Sequence, residues 1–278
     1  MIEQSSPLPC RAEEVSHYTA YRVSESINVD GRLDKPVWQH APKSTRFVDL
    51  VSGSKTIHDT RAAVLWDDVN LYVGFWIEEP LVEASLTEQN ALIYNDNDVE
   101  VFIAGQDAYY EFEINAFGTI YEVLFIWDDA RGKYADRSEF ARDAPGARTW
   151  DGVGYKHPRG SRVGYWGWDL QGLESAVHVD GSINMNQDRD RGWTVELAFP
   201  WTGLKIIAEG DGRALPPNEG DTWRMDFSRF NTYKEAAPAS DSGGWTWSSH
   251  HVWDSHVPEC FPQIHFTTQL VTDAHTNP

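Results

Sequence analysis

Two neighbouring segments within residues 96–118 alternate strictly between apolar and acidic or amide side chains. The apolar set comprises Val99, Val101, Ile103, Phe112 and Ile114. The polar set comprises Asp98, Glu100, Glu111, Glu113 and Asn115. A two-residue period is typical of antiparallel strands with one face on a core and the other face open to water. Carboxylates on one sheet face repel each other unless cations or arginines neutralise them or hydroxyl groups donate hydrogen bonds to them. The acidic face is therefore predicted to be a binding surface.

Short alternating segments recur along the rest of the chain, separated by turn residues. They are Thr60–Trp66, Leu71–Ile77, Tyr121–Trp127, Leu173–Val179, Trp193–Phe199, Trp223–Phe227 and 263–270. The first two flank a four-residue loop, which is the spacing of a hairpin. No helical pattern of comparable length is present. The chain is therefore predicted to be all-β, an antiparallel, jelly-roll-like β-sandwich.

The chain shows neither an internal repeat nor a linker, which favours a single domain. All-β domains often exceed 200 residues, so the 278 residues fit one unit. We expect an N-terminal extension over residues 1–20, one domain over 21–270 and a tail over 271–278. Residues 128–168, rich in Arg, Asp, Gly, Pro and Trp, interrupt the pattern of strands. A loop of that length is usually functional or an insertion.

The net charge of −20 excludes several classes of partner. Nucleic acids and anionic membrane surfaces require clustered Lys and Arg. No apolar run approaches the roughly 20 residues of a membrane-spanning helix. The first residues lack the basic and apolar regions of a signal peptide. We therefore expect a soluble protein, cytoplasmic as written, or secreted or periplasmic if a leader has been removed; the oligomeric state is left open.

The two cysteines, Cys10 and Cys260, lie near opposite ends of the chain. A bridge between them would close almost the entire chain, whereas two buried free thiols are equally compatible with the sequence. Their spacing matches no metal-binding motif. The sequence leaves both the pairing and the compartment undecided.

Clustered carboxylates allow two interpretations. The strand positions concerned are Asp98, Glu100, Glu111, Glu113, Glu196 and Asp226. Two of them could flank a glycosidic bond as the acids of a glycan-active hydrolase. Alternatively, they are simply the polar faces of half-exposed strands, and Arg224 shares the face of Asp226. Hydrogen bonding to sugar hydroxyls is the favoured role, because carboxylates accept stronger hydrogen bonds than neutral groups do.

Aromatic residues divide into a strand set and a loop set. The strand set, predicted to be core, is Trp66, Trp76, Trp193 and Trp223. The loop set is Tyr94, Trp127, Trp150, Trp166, Trp168, Trp245, Trp247 and Trp253. Aromatic side chains in loops either pack beneath those loops or form a platform for a flat apolar ligand surface, such as one face of a sugar ring.

Metal sites have weak support in the sequence. His250, His251 and His256 surround Trp253 but lack the helical spacing and third ligand of a zinc site. The acidic loops at 67–68 and 186–190 could hold calcium through oxygen atoms, and solvated turns explain them equally well. Phosphate-binding loops, nucleophile elbows and Cys–His pairs are not found.

Seven segments, taken together, carry a family resemblance. In chain order they are INVDGRLDKPVW, AAVLWDDVNLYVGFWIEEP, NDNDVEVFI, YYEFEINAFGTIYE, DRGWTVELAFPWTGL, GDTWRMDFSRFN and WTWSSHHVWDSHVPECFPQIHF. From about residue 21 to 268 the chain resembles the carbohydrate-binding module family 9-like proteins, a β-sandwich group related to DOMON-type domains. The resemblance implies non-catalytic binding of a mono-, oligo- or polysaccharide, with no required cofactor.

The resemblance also implies a site in which two aromatic rings hold a sugar. Tyr94 takes the position of the ring before the D-x-V-E-x-F strand, and Trp253 takes that of the ring before the last strand. Glu100 and Asn115 match the carboxylate and the amide that hydrogen-bond the sugar. The complete set of expected ligand-binding residues is Tyr94, Trp253, Glu100, Asn115, Asp98 and Trp127.

Further implications concern metals and departures from the family. Structural calcium occurs in such modules, with no ligands assigned in this chain. Glu113 stands where the family has a basic residue, which puts recognition of the same sugar end in question. The 128–168 insertion resembles that of a longer, often free-standing subgroup. DOMON relatives bind haem through Met and His, but Met185 and Met225 have no evident partner.

Overall fold

The computed structural model describes residues 8–185, 187, 189–232 and 238–274, and almost all of its regular structure is β-strand. The strands are β1 His17–Arg22, β2 Val48–Asp49, β3 Thr60–Trp66, β4 Asn70–Glu78, β5 Asp98–Ala104, β6 Ala108–Asn115, β7 Ile120–Trp127, β8 Ala147–Trp150, β9 Arg162–Tyr165, β10 Glu174–Asp180, β11 Gly192–Pro200, β12 Thr222–Phe230, β13 Gly244–Thr246 and β14 Gln263–Leu270. The α-helices are α1 Pro36–His40 and α2 Lys205–Glu209. Single 3₁₀ turns occur at Ala12–Glu14, Ile93–Asn95, Arg131–Tyr134, Ser138–Phe140, Pro258–Cys260 and Val271–Asp273. No helix in the described part of the chain has both the length and the apolar character needed to cross a membrane.

The strands form one continuous sheet that folds over into two packed layers. Its order is β10-β11-β4-β3-β1-β14-β12-β5-β6-β7-β9-β8, and β13 joins β12 to β2. Phe75 of β4 packs against Phe227 of β12, and Phe112 of β6 against Phe199 of β11, with ring centroids 6.1 and 5.7 Å apart. The predicted β-sandwich is confirmed. One departure from the antiparallel expectation is β1, which runs parallel to both β14 and β3.

The alternation in β5 and β6 places their apolar set in the main core, as predicted. Val101 and Phe112, which are paired across the two strands, are both fully buried. Burying a large apolar side chain contributes about 1.5–3 kcal/mol, so this face anchors both strands to the opposite layer.

The prediction that the acidic face is open to water is wrong. Asp98, Glu100, Glu111, Glu113, Glu196 and Asp226 are all buried. A second aromatic cluster lies on the outer face of β5, β6 and β7 and includes Phe102, Tyr109, Phe125, Trp127 and Phe261. The period of two identified the two faces correctly, but distant loops cover the second one.

The insertion at 128–168 forms part of that cover. It contributes β8 and β9, which extend the sheet beyond β7. Arg162, at the start of β9, is fully buried, with its guanidinium 4.8 Å from the Trp127 ring and 4.6 Å from the Trp150 ring. Cation–π contacts of this kind compensate a buried charge in part.

Glu196 is covered at another point, by α1 and the chain preceding it. Its carboxylate accepts hydrogen bonds from Trp38 Nε1 (2.8 Å) and from the Asp30 backbone N–H (2.8 Å), and it pairs with Lys35. This carboxylate is therefore part of the scaffold.

The residues before the predicted domain start are tied to the fold. Cys10 and Cys260 form a disulfide, which answers the question the sequence left open. β1 begins at His17, within the expected extension, and lies inside the sheet.

The tryptophan predictions hold for most strand positions. Trp66, Trp193 and Trp223 are in the main core, whereas Trp76 is only partly buried and carries Lys43 Nζ 3.9 Å from its ring. Two tryptophans of the predicted loop set are also core: Trp245, which lies in β13, and Trp247, which follows that strand.

Candidate functional site

A cleft of about 430 Å³ lies over the outer face of β5, β6 and β7, and we call it the aromatic cleft. Its floor carries Glu100, Glu111 and Glu113. Its walls include Tyr94, Tyr121, Phe125, Trp150, Trp166, Phe230 and Trp253. Apolar walls with a few converging polar groups are typical of small-molecule sites.

Strand register explains why the acidic side chains converge on the floor. Glu100 on β5 is paired directly with Glu113 on β6, and on its other side with Ser228 on β12. Glu113 is paired in turn with Tyr121 on β7. Side chains directly opposite on neighbouring strands are about 4.5–5.5 Å apart at Cβ, so this row forms a continuous polar strip.

Burial changes the acidity of the floor. Desolvation raises the pKa of Glu100 to about 8, with Asp226 adding repulsion and the Ser228 hydroxyl (2.7 Å) partly opposing the rise. Desolvation, followed by repulsion from Glu100, also raises the pKa of Glu111 and of Glu113. These carboxyl groups therefore keep their protons to a higher pH than free carboxyl groups do, unless a cation stabilises their charge.

Tyr94 and Trp253 are the most exposed rings of the cleft. Tyr94, on the 3₁₀ turn before β5, is 46% exposed, and Trp253 is 41% exposed. Each is held edge-on by one neighbour, Tyr94 by Tyr121 (6.1 Å between centroids) and Trp253 by Phe230 (5.3 Å). Both rings are thus oriented while a large part of each remains available to a ligand.

A glycine makes room for Trp253. A Cβ at position 244 would lie 2.8 Å from both the Trp253 ring and the Phe230 ring. Those rings pack against the backbone of Gly244, so a larger residue there would displace the exposed tryptophan.

Asp254 joins the Trp253 loop to the insertion. Its Oδ2 accepts hydrogen bonds from the backbone N–H groups of Val153 (2.8 Å), Gly154 (3.2 Å) and Tyr155 (3.1 Å). Its Oδ1 accepts from the His256 N–H at 2.9 Å. This carboxylate therefore fixes two loops that together build one side of the cleft.

Two arginines near the cleft have different environments. Arg148 lines the cleft, is exposed, and lies 5.2 Å from the Trp166 ring. Arg162 is buried and donates to Tyr109 Oη at 2.7 Å. Arg148 is therefore available to a ligand, whereas Arg162 is structural.

His256 lies beside the acidic floor in a neutral form. Its Nε2 is 3.3 Å from Glu111 Oε1. Burial, with additional repulsion from Arg162, holds the pKa of His256 well below its usual value. Since no positive charge develops there at neutral pH, the contact with Glu111 is not an ion pair.

Four of the six expected ligand-binding residues lie at the cleft or directly beneath it. Tyr94, Glu100 and Trp253 line the cleft. Asp98 lies beneath the floor, with an oxygen within 4.8 Å of oxygens of Glu100 and Glu113.

Asn115 and Trp127 are placed elsewhere. The Asn115 amide donates to the Leu86 carbonyl (2.8 Å) and to Asp96 Oδ2 (3.0 Å), and accepts from Thr119 N–H (3.1 Å). Trp127 is buried with its ring against Arg162. Both side chains are engaged within the fold, so neither is presented to the cleft.

Several cleft residues were not among those expected. They are Glu111, Glu113, Tyr121, Phe125, Arg148, Trp150, Val153, Trp166, Asp254, Ser255 and His256, together with Leu92 and Phe230. The outward phase of β6 indicated its two glutamates, and the loop position of the two insertion tryptophans marked them as candidates. The contribution of Arg148 had no signal in the sequence.

The histidines considered for zinc do not converge. His250 is buried and contacts the Asp254 carbonyl (2.9 Å), whereas His251 is partly exposed beside Glu14 (3.3 Å). Across the described ranges, the only group of three potential metal-binding side chains is Asp98, Glu100 and Glu113.

The other metal and haem candidates also find different roles. Asp67 Oδ1 accepts the backbone N–H groups of Val69 and Asn70, both at 2.7 Å. In the 186–190 loop, positions 186 and 188 lie outside the described residues. Met225 is in the core and Met185 is exposed, so they do not face a common cavity.

Comparison with known proteins identifies a family region and a shared fold. Residues 29–145 match the family described as carbohydrate family 9 binding domain-like. No curated protein matches the sequence.

Two solved structures that are similar to this chain are each 14% identical to it. One is a proposed carbohydrate-binding protein from Bacteroides uniformis, with a TM-score of 0.56, 14% identity, and coverage of 91% of this chain and 99% of the other. Another is a family 9 carbohydrate binding module from Caldicellulosiruptor kristjanssonii in complex with cellotriose, with a TM-score of 0.49, 14% identity, and coverage of 94% and 98%. At this identity the first similarity shows a shared fold.

Proposed function

We propose that this chain, whose residues 29–145 match the carbohydrate family 9 binding domain-like family, binds a carbohydrate in the aromatic cleft. One observation carries the proposal. Tyr94 and Trp253 are far apart in sequence, are both about half exposed, and line one cleft that has Glu100 on its floor. This arrangement suits a ligand that has an apolar face and a hydroxylated edge.

Sugar recognition requires both kinds of contact. The C–H face of a pyranose ring stacks on an aromatic side chain, and Tyr94 and Trp253 offer the most accessible rings. The hydroxyl groups donate to carboxylates, and Glu100 and Glu113 lie on the floor to accept them. The expected affinity is weak, with a Kd of roughly micromolar to millimolar, because a small ligand gains few contacts against the entropy lost on binding.

Arg148 is a candidate for the basic residue of the sugar site, because Glu113 stands where the family has a basic residue. Its guanidinium lines the cleft from β8 and lies 5.2 Å from the Trp166 ring. Five N–H donors in a planar group can donate to neighbouring sugar hydroxyls. In this proposal the 128–168 insertion completes the sugar site.

The geometry favours binding over hydrolysis. Glycoside hydrolases place two carboxyl groups about 5–9 Å apart, one on each side of the scissile bond. Glu100 and Glu113 instead lie side by side on neighbouring strands, with oxygens within 4.8 Å. Two acids side by side on one floor do not face each other across a bound sugar, as the two acids of a hydrolase do.

The disulfide bears on the compartment. Cys10 and Cys260 are joined across the chain, and such bonds persist mainly in oxidising environments. We propose that the protein acts outside the cytoplasm, where polysaccharides are available as ligands.

Tryptophan fluorescence offers a first test of the proposal. A panel of neutral mono- and oligosaccharides is titrated into the protein, and iodide quenching is measured with and without each sugar. A bound sugar is expected to change the emission and to protect Trp253 from iodide. Unchanged quenching by every sugar at tens of millimolar would contradict the proposal.

A further inference from the structure

Three buried carboxylates converge beneath the aromatic cleft. Asp98 and Glu100 are two residues apart on β5, and Glu113 is opposite Glu100 on β6. One oxygen from each lies within 4.8 Å of the others, although the side chains are 0%, 3% and 1% exposed. Like charges at this separation repel strongly in a medium of low dielectric constant.

Hydrogen bonds hold these carboxylates in place while leaving some of their oxygens unsatisfied. Asp98 Oδ1 accepts the Phe230 N–H (3.0 Å), and Glu100 Oε2 accepts the Ser228 hydroxyl (2.7 Å). Asp98 Oδ2 and Glu113 Oε2 are inaccessible to solvent, yet they have no hydrogen-bond partner among the described residues. A buried polar atom without a partner costs about 1–3 kcal/mol, so two in one small group point to a missing occupant.

The neighbouring positive groups of the described chain donate to other acceptors. Arg229 favours the charged form of Asp98, but its guanidinium donates to Thr60 (2.9 Å) and Glu79 (3.2 Å). The Arg162 guanidinium donates to Tyr109 and to the His256 carbonyl. Neither arginine donates a hydrogen bond to the unsatisfied oxygens of Asp98 and Glu113.

We propose that Asp98, Glu100 and Glu113 form a binding site for one divalent cation, Ca²⁺, beneath the floor of the aromatic cleft. Ca²⁺ takes 6–8 oxygen ligands at about 2.3–2.6 Å, so two ligand atoms of one ion are separated by at most twice that distance. The limit of 4.8 Å on the oxygen separations satisfies this condition.

The choice of ion follows from the ligand atoms. All three side chains offer oxygen, which disfavours zinc and other metals that prefer nitrogen or sulfur. Mg²⁺ retains several of its waters and requires near-octahedral geometry, whereas Ca²⁺ adapts to irregular carboxylate groups. The site does not depend on sugar binding, although Glu100 and Glu113 also line the cleft and would place the ion next to a bound ligand.

The test uses metal alone on the full chain. The protein is stripped with EGTA and a chelating resin, and CaCl₂ or MgCl₂ is titrated by calorimetry and by thermal unfolding. The wild-type protein is expected to bind one Ca²⁺ ion saturably and to gain roughly 5 °C in Tm at a hundredfold excess over Kd. Mg²⁺ is expected to bind at least tenfold more weakly.

Variants locate the ion. Glu113→Gln and Asp98→Asn are each expected to reduce Ca²⁺ affinity at least tenfold and to raise the Tm of the metal-free protein, because each removes one repelling charge. Glu174→Gln, on the exposed start of β10, is the control and should retain the wild-type Ca²⁺ shift. A misfolded variant would have a lower Tm. A variant that is more stable than the wild type and binds Ca²⁺ more weakly has therefore lost the metal site and not the fold.

Three results would overturn the site. The first is the absence of saturable Ca²⁺ binding in the stripped wild-type protein. The second is a full Ca²⁺ shift in both Glu113→Gln and Asp98→Asn. The third is stabilisation by glucosamine or methylammonium but not by Ca²⁺, which would assign the acidic group to a protonated amine.

Discussion

Glu100 and Glu113 face each other across β5 and β6, nearly fully buried, at the floor of a cleft with aromatic walls. Two carboxylates directly opposite on neighbouring strands destabilise a sheet when they are both charged. Protonation, a bound ligand or a cation would each offset the repulsion within this buried pair.

The pH dependence of stability should reflect the acidic floor. The pKa of Glu100 is raised from 4.5 to about 8 in the folded protein. A raised acid contributes stability that is fully present below its unfolded pKa and is lost as pH rises through the folded value. We expect the free energy of unfolding of the metal-free protein to fall between pH 7 and 8.5. Urea unfolding at fixed ionic strength measures it.

The window above pH 7 avoids an opposing effect. His256 has a lowered pKa, so its contribution increases with pH, mainly around and below its usual value of 6.5. Glu100→Gln should flatten the slope above pH 7, and Glu174→Gln should not. A stability that rises across this window in the metal-free protein would contradict the raised pKa.

Substitutions of the two arginines beside the cleft should have different effects: one should lower the free energy of unfolding and the other should weaken sugar binding. Arg162→Met should cost about 2–4 kcal/mol, because it leaves Tyr109 and the His256 carbonyl without a buried donor. Arg148→Met should change stability by less than about 0.5 kcal/mol and weaken sugar binding severalfold. Urea unfolding and calorimetry measure the two effects. Full sugar affinity in Arg148→Met would remove this residue from the site.

Asp254 should act on the ligand through Trp253. Asp254→Ala removes the acceptor of four backbone N–H groups and should cost about 1–3 kcal/mol. It should also weaken sugar binding, because the loop that carries Trp253 is released. Asp221→Ala, which removes a turn acceptor of Asn218 N–H outside the cleft, is the control. Equal sugar affinities of Asp254→Ala and wild type would contradict the positioning role.

Reduction of the disulfide should destabilise the whole domain. Cys10 and Cys260 are 250 residues apart, and closing a loop of that length stabilises the folded state by about 5 kcal/mol on the loop-entropy model. The urea midpoint with and without reductant measures the effect, with thiol titration confirming reduction. An unchanged midpoint in the fully reduced protein would show that the bond contributes nothing.

Local periodicity predicted the strands and the facing apolar set, because the alternation of side chains follows from strand geometry alone. It did not predict the burial of Glu100 and Glu113, since the segments that cover them come from the insertion and the loop before β14. The pairing of Cys10 with Cys260 could not be predicted for a similar reason, because residues so far apart in sequence meet only in the complete fold.

The site was predictable in part. Tyr94 and Trp253 were placed by their family positions and lie in one cleft. Asn115 and Trp127 were expected there too, but their hydrogen bonds and ring contacts are made with neighbours distant in sequence, such as Leu86 and Arg162. Pairings of that kind depend on the complete fold.

Calorimetry on Trp253→Ala tests the central claim most directly. Once the sugar panel has identified a ligand, we expect at least tenfold weaker binding in this variant, or about 1.4 kcal/mol. Trp76→Ala, a partly buried tryptophan outside the aromatic cleft, should bind as the wild type does. Unchanged sugar affinity in Trp253→Ala, or an equal loss in Trp76→Ala, would contradict a carbohydrate site between Tyr94 and Trp253.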